Sequence, residues 1–228
     1  MKAILFRSSL LALTLGAAPL AGAATIIQTN NTGGAIPDGS STGLGQVIQI
    51  AGSGESVVSV TLSLQIEAAA GEEAFLGDLY IYLTNGTDKV VLMNRAGRTA
   101  SAPGGYGVNQ SINVTFSSVG TRDNHNYPLG VGGTASTLLT GALTGDWQPD
   151  GRDIDPALVL DTDTRTGFEV FEDALADGTW GLYIADLSSG GEHSLISWTL
   201  TLETVPEPSS VLLGFAALPL LMRRRRQA

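Results

Sequence analysis

The chain has 228 residues, with 22 acidic and 12 basic side chains and no cysteine. The lack of cysteine excludes a disulfide framework. Six of the basic residues and none of the acidic ones lie before residue 24 or after residue 222, so the body between them carries a net charge near −16. Such a surface repels phosphate backbones, and we therefore expect no nucleic-acid partner.

Residues 1–23 have the pattern of a secretory signal peptide. Two basic residues precede an apolar core over residues 10–20, and Ala21 and Ala23 fit the small-x-small pattern of a cleavage site. The alternative is a first transmembrane helix, but a membrane span needs about 20 apolar residues and this core is shorter. The pattern therefore predicts export.

Residues 24–204 are typical of a single all-β domain. Short runs of β-branched and aliphatic residues alternate with polar residues, and Gly, Asn, Asp and Ser separate the runs. The predicted strands cover residues 45–52, 56–67, 79–83, 89–93, 111–116, 179–187 and 195–203. This pattern favours an antiparallel β-sandwich or barrel, and we expect a jelly-roll-like β-sandwich.

Two turns predict hairpins in this domain. Asn85 and Gly86 open a turn between residues 79–83 and 89–93, and Asn-Gly supplies the positive φ that tight hairpin turns need. A Ser-Ser-Gly-Gly turn at 188–191 predicts a second hairpin, whose strands would place Trp180 and Trp198 opposite each other in the core.

The segment between residues 117 and 177 is less regular. A short helix is predicted within residues 167–175, where apolar residues recur at helical spacing. Three aromatic residues lie in loop-like sequence, and they could either stack on sugars or close the loop ends of the sandwich; these are Tyr106, Tyr127 and Trp147.

Several aspartates suggest a calcium site, because Ca²⁺ takes six to eight oxygen ligands. Two of them flank apolar strands and the others crowd one turn-rich stretch; they are Asp78, Asp186, Asp150, Asp153, Asp155, Asp161 and Asp163. The alternative is that these carboxylates cap turns, and no EF-hand spacing is present. Calcium is the one cofactor that the sequence suggests, and the turn-capping alternative stays open.

Catalytic motifs are absent from the sequence. Its two histidines, His125 and His193, lack metal-ligand spacing, and there is no G-x-S-x-G motif or P-loop. We therefore expect no enzyme and no catalytic residues. A stand-alone hydrolase that uses His193 is the opposing hypothesis.

Three stretches in order carry a resemblance to a known family. They are GDLYIYL at 77–83, GTWGLYIAD at 178–186, and Gly191 followed by LISWTLTL at 195–202. Together they resemble the P domain (P/Homo B), a jelly-roll β-sandwich that follows subtilisin-like catalytic domains in proprotein convertases. No catalytic domain precedes it here, so the resemblance implies a module that acts alone or on a partner in trans.

Residues 205–228 form a second terminal signal. A Val-Pro-Glu-Pro stretch precedes an apolar run at 211–222, which is too short to cross a bilayer comfortably, and four arginines follow. The arginines would hold their end in the cytoplasm. The signal residues are Val205, Pro206, Glu207, Pro208, Arg223, Arg224, Arg225 and Arg226.

This tail resembles the PEP-CTERM sorting signal, which exosortases read in Gram-negative bacteria that make extracellular polysaccharide. The resemblance implies a C-terminal hydrophobic sorting helix, transient membrane anchoring, and cleavage near Pro206, Glu207 and Pro208 by an exosortase. The alternative is a weak permanent anchor. In the first case the protein ends at the cell surface or outside the cell.

We therefore expect an exported, non-catalytic module of the cell surface, extracellular matrix or biofilm. Its partners would be polysaccharide or another surface protein. The alternative function is an accessory P domain that stabilises a secreted subtilisin-like protease in trans.

Overall fold

The computed structural model describes residues 22–107, 111–133 and 141–206. The predicted signal peptide up to Ala21 and the tail from Glu207 onward therefore lie outside the described residues. Ten strands form two sheets, which confirms an all-β sandwich. In the described part of the chain, no helix is long and apolar enough to cross a membrane.

One sheet has six strands in the order β1-β10-β4-β7-β8, with β2 also paired to β10, and the other has the order β3-β9-β5-β6. The strands are β1 (Ala24–Asn30), β2 (Gly34–Ile36), β3 (Ser40–Ile50), β4 (Glu55–Ala68), β5 (Leu79–Thr84), β6 (Lys89–Asn94), β7 (Ile112–Ser117), β8 (Leu143–Trp147), β9 (Gly178–Asp186) and β10 (His193–Pro206). A short helix α1 covers Tyr127–Gly130, and 3₁₀ helices cover Leu76–Asp78 and Phe168–Phe171. The helix predicted within 167–175 is thus a single 3₁₀ turn.

Strict alternation explains why the strands sit where they do. In β4, Val60, Leu62 and Leu64 are buried, while the intervening Thr61 and Ser63 lie on the outer face. Successive side chains of a strand point to opposite faces, so this pattern buries one face against the second sheet. All seven strands predicted from the sequence are present.

The predicted hairpin of the last two strands is wrong. β9 belongs to the four-stranded sheet and β10 to the six-stranded sheet, so the turn at 188–191 crosses between the sheets. β10 instead pairs with β4 over most of its length and with β1 on its other side. Trp180 and Trp198 are both buried, and they enter the core from opposite sheets.

The sandwich is also not wholly antiparallel. β8 pairs in parallel with β7, from Ile112 opposite Leu143 to Phe116 opposite Trp147. A parallel partner needs a long crossover, and about 25 residues connect these two strands. Three strands were not predicted, because β2 and β8 are short and β1 lies directly after the predicted cleavage site.

The hairpin of β5 and β6 is confirmed. The side-chain oxygen of Asn85 accepts hydrogen bonds from the backbone N–H groups of Thr87 (2.9 Å) and Asp88 (2.7 Å). Gly86 has a φ of 91°, which a residue with a side chain rarely adopts. The turn therefore joins the two strands so that their pairing begins with Thr84 opposite Lys89.

Candidate functional site

The structure brings Asp78 and Asp186 together at one end of the sandwich. Leu79 pairs with Asp186, and both aspartates are buried. Asp186 is held by the ring of His193 at 2.7 Å and by the backbone N–H of Ser188 at 3.2 Å. Burial raises the pKa of the Asp78 carboxyl, against a hydrogen bond from Ser188, and the negative charge of Asp186 raises it further.

This cluster is not arranged as a Ser-His-Asp triad. His193 binds Asp186 through Nδ1, and its buried Nε2 has no hydrogen-bond partner among the described residues. The nearby Ser188 hydroxyl instead accepts a hydrogen bond from Arg95 at 2.9 Å. A triad needs the serine hydroxyl on the free ring nitrogen of the histidine, and the described residues do not provide it.

The aspartates of the turn-rich stretch are separated, and three of them have different protein partners. Asp153 pairs with Lys89 at 2.7 Å, Asp155 accepts from the N–H of Ala157 at 2.8 Å, and Asp163 accepts from the N–H of Leu160 at 2.7 Å. Asp161 is exposed. Within residues 22–107, 111–133 and 141–206, no group of three or more Asp, Glu, His or Cys side chains is placed to hold a metal ion. The turn-capping alternative thus accounts for the described contacts of Asp155 and Asp163.

Asp150 is the centre of a buried ionic chain. It is fully buried and contacts His125 Nδ1 at 3.0 Å and Arg152 at 3.0 Å. Arg152 also binds Asp123 at 2.8 Å. The second ring nitrogen of His125 faces the carbonyl oxygen of Arg98 at 2.9 Å, so both ring nitrogens face acceptors and both must donate. The imidazolium form of His125 can donate to both acceptors, so positive and negative charges alternate along this ionic chain when the ring is protonated.

The pKa values of His125 and Asp123 follow from their contacts in this ionic chain. Burial lowers the pKa of His125, but the hydrogen bond and charge of Asp150 outweigh it and raise the pKa above 6.5. Burial raises the pKa of Asp123, but the hydrogen bond and charge of Arg152 outweigh it and hold the pKa below 3.8. Both charged forms are thus favoured by the folded state.

We predict that stability falls as the pH rises above 6.5, because the stabilisation by His125 is complete below its unfolded pKa and is lost as the folded group deprotonates. One proton contributes a slope of at most about 1.4 kcal/mol per pH unit. Urea unfolding between pH 5.5 and 8.5 measures it, and the slope should flatten in His125→Gln. The stabilisation that the ionised Asp123 carboxylate gives to the folded state is lost in acid, as the pH falls below 3.8. An unchanged slope in His125→Gln would contradict the assignment.

Two of the three loop aromatics are buried, which favours closure of the loop ends over sugar stacking for them. Trp147 and Tyr127 are fully buried, and Trp147 donates to the carbonyl of Thr144 at 3.0 Å. Burial raises the pKa of Tyr127 to about 12. Tyr106 is half-buried and packs edge-on against Tyr127, with ring centroids 4.8 Å apart.

Three other tyrosines form a partly exposed cluster on the outer face of the four-stranded sheet. Tyr80 and Tyr82 on β5 and Tyr183 on β9 alternate with buried residues of the core. The rings of Tyr82 and Tyr183 stack at 4.8 Å with 24° between their planes, and Tyr80 lies 5.8 Å from Tyr82. The Tyr183 hydroxyl donates to the carbonyl of Ser41. We call these three residues the tyrosine face.

The sheet surface beside the tyrosine face is open. The partner of Tyr183 on β3 is Gly45, and a Cβ placed there would meet nothing within 4 Å. At Gly181 a Cβ would meet only the Thr84 side chain, at 3.4 Å. Val47, across from Gly181, is 55% exposed. Two glycines thus leave a shallow trough between Tyr183 and Val47.

Polar groups surround this trough. Gln49 donates to the Thr179 hydroxyl at 2.6 Å on the same outer face. On the other side, the Lys89 ammonium lies 5.4 Å from the centre of the Tyr82 ring and 2.7 Å from Asp153. An apolar ring surface with a polar rim is the composition of a ligand site that holds amphipathic molecules.

Sequence reasoning missed these tyrosines although a signal was present. LYIYL at 79–83 and GLYIA at 181–185 alternate, so once Leu79 and Ile81 are assigned to the core, Tyr80 and Tyr82 must face outward. The aromatic residues singled out from the sequence lie in loop-like stretches instead.

The described residues reach the edges of both terminal signals. Ala23 is exposed and directly precedes β1, and Val205 and Pro206 are the last residues of β10, paired with Ser56 and Glu55. The strand thus runs two residues past the predicted domain boundary. The remaining signal residues lie outside the described part: Ala21, Glu207, Pro208, Arg223, Arg224, Arg225 and Arg226.

No protein-family model matches this chain, and no curated protein shows significant similarity to it.

Proposed function

We propose that this protein is an exported, non-catalytic module that binds neutral polysaccharide at the tyrosine face. The observation that carries the proposal is the partly exposed cluster of Tyr80, Tyr82 and Tyr183 beside a glycine-floored trough. A pyranose ring has an apolar C–H face that packs on an aromatic ring, and hydroxyl groups around its edge that need hydrogen-bond partners. Tyrosine offers such a surface at low entropic cost.

The charge of the protein selects the class of polysaccharide. A body near −16 repels polyanions at long range, so a neutral glycan is the favoured ligand. The polar groups at the trough are neutral amides and hydroxyls, together with the paired Lys89 and Asp153. These groups can accept hydrogen bonds from sugar hydroxyls and donate to them without leaving a charge unpaired.

The destination of the protein and its finer fold belong to the same proposal. The resemblance of residues 1–23 to a signal peptide and of residues 205–228 to a PEP-CTERM signal supports export, exosortase processing and a final place at the cell surface or in the matrix. The ordered resemblance of β5, β9 and β10 to P-domain stretches supports a P-domain-like jelly roll. The module would then hold matrix polysaccharide.

We predict that Tyr183→Ala weakens binding to neutral polysaccharide about tenfold or more, because a central aromatic contact contributes at least about 1.4–2 kcal/mol when truncated. Tyr183→Phe keeps the ring and should bind within about twofold, since it loses only the hydrogen bond to Ser41. Affinity electrophoresis of the exported protein in gels containing soluble glucans, mannans and galactans measures both variants.

The matched control is Ile27→Ala, which removes an apolar side chain that is 62% exposed on β1, in the other sheet. It should leave binding unchanged. Equal losses in Ile27→Ala and Tyr183→Ala, or no retention of the wild-type protein by any neutral polymer, would refute the proposal. Co-purification with a secreted subtilisin-like protease would favour the accessory role instead.

A further inference from the structure

Lys89 is the cation closest to the tyrosine face. It begins β6 opposite Thr84, its side chain is 37% exposed, and its ammonium lies 5.4 Å from the centre of the Tyr82 ring. It is also the only lysine after residue 2. The arginines of the body all donate to protein acceptors; these are Arg95, Arg98, Arg122, Arg152 and Arg165. Lys89 is therefore the group that would meet an acidic sugar at this site.

Lys89 already has a counter-ion, Asp153. Its carboxylate lies 2.7 Å from the ammonium, and the side chain is 55% exposed. The contact is fixed by the backbone on both sides of Asp153, because the buried Asn94 donates to the carbonyls of Arg152 (2.9 Å) and Ile154 (3.0 Å). The backbone that carries Asp153 is thus held beside Lys89 by the fold.

The same segment is bound to the edge of the sheet. The N–H of Asp150 donates to Leu92 and the N–H of Gly151 donates to Val91, both on β6. Gly151 has a φ of 73°, and a Cβ there would lie 2.6 Å from the carbonyl oxygen of Thr166, so the segment cannot shift cheaply. Burial lowers the pKa of Lys89, but the hydrogen bond that its ammonium donates to Asp153 and the contact with Tyr80 outweigh this and raise the pKa, so the lysine stays charged and paired.

We infer that Asp153 biases the tyrosine face toward neutral polysaccharide and against uronate-containing polysaccharide, because it neutralises Lys89. A uronate stacked beside Tyr82 would find its cation already paired and a second carboxylate next to it. A neutral sugar can accept a hydrogen bond from the Lys89 ammonium and donate one to Asp153. This inference rests on the proposed function of the tyrosine face.

Asp153→Asn tests the inference, because it keeps the shape and the amide can still contact Lys89 while the charge is removed. We expect the variant to bind a uronate polymer such as polygalacturonate about three- to fivefold more tightly than the wild type in about 50 mM NaCl, as for one exposed charge pair. The gain should disappear in about 500 mM NaCl, where exposed charges are screened. Binding to the neutral polymer should change by less than about twofold.

Two further variants make the result specific. Glu67→Gln removes one negative charge from the outer face of the other sheet, so it reproduces the change in net charge and should give no uronate gain. The double variant Asp153→Asn/Lys89→Met removes the cation, so it should lose the gain.

The outcomes distinguish the role of Asp153 from the proposed binding of neutral polysaccharide at the tyrosine face. If neutral polymers do not retain the wild-type protein, both the proposed function of the tyrosine face and the role of Asp153 are refuted. Neutral binding that depends on Tyr183, with no uronate gain in Asp153→Asn or an equal gain in Glu67→Gln, overturns only the role of Asp153. A gain that survives removal of Lys89 also overturns it.

Discussion

Replacing Asp150 with asparagine is expected to lower the free energy of unfolding by about 3–5 kcal/mol. The substitution keeps the volume but removes the negative charge between the imidazolium of His125 and the guanidinium of Arg152. All three groups are almost completely buried, so the substitution leaves the His125 imidazolium without its counter-ion and leaves Arg152 paired only with Asp123. Removing one partner of a buried pair costs this much because the desolvation of the other is no longer offset.

Urea unfolding at pH 6 measures this loss as a shift in the midpoint at constant slope. The matched control is Asp161→Asn in the same stretch, where the side chain is exposed and the change should stay within about 0.5 kcal/mol. A loss below about 1 kcal/mol in Asp150→Asn would mean that solvent reaches the ionic chain when the charge is removed.

Trp147→Ala is expected to cost about 3–5 kcal/mol and to leave polysaccharide binding by the folded protein unchanged. The indole is fully buried, packs beneath the Arg122 guanidinium at 4.3 Å, and is hydrogen-bonded to Thr144. A Cβ at Gly130 would lie 2.7 Å from the indole ring, so the backbone is packed directly against it. Truncation leaves a large cavity that this close packing cannot collapse into.

The two measurements on this variant distinguish a core residue from a ligand contact. Thermal or urea unfolding gives the loss of stability, and affinity electrophoresis below the unfolding transition gives the binding. Tyr183→Ala, on the outer face, should show the opposite pattern, with a large change in binding and a small change in stability. If Trp147→Ala instead abolished binding without loss of stability, the loop aromatics would be the sugar contact.

The ionic chain shows why the role of the acidic stretch could not be predicted. Asp150, Asp153 and Asp155 are close in sequence, yet one is buried on His125, one lies on the sheet edge at Lys89 and one caps a turn. Calcium binding and turn capping need the same residue type at similar spacing. Only the positions of His125 and Lys89 in space separate the roles.

For a related reason, the sequence could not separate sugar stacking from loop-end closure for Tyr127 and Trp147. Loop-like sequence around Tyr127 and Trp147 favoured exposure, because loops usually run over the surface. α1 and β8 instead fold back and close the end of the sandwich, which buries both rings. The alternation around Tyr80, Tyr82 and Tyr183 was the better signal, since a period of two is set by the strand itself.

The order of residues was enough to predict the all-β class, seven of the strands, the β5–β6 hairpin and the buried face of residues 56–67. These are local properties, because alternation and turn chemistry act over two to four residues. Only the tertiary structure decided that β9 and β10 lie in different sheets, that β8 runs parallel to β7, and that three tyrosines share one face beside two glycines. The pairing of strands depends on the total area that both sheets bury. It joins residues that are over 100 positions apart in sequence, such as Tyr82 and Tyr183, so a local pattern does not predict it.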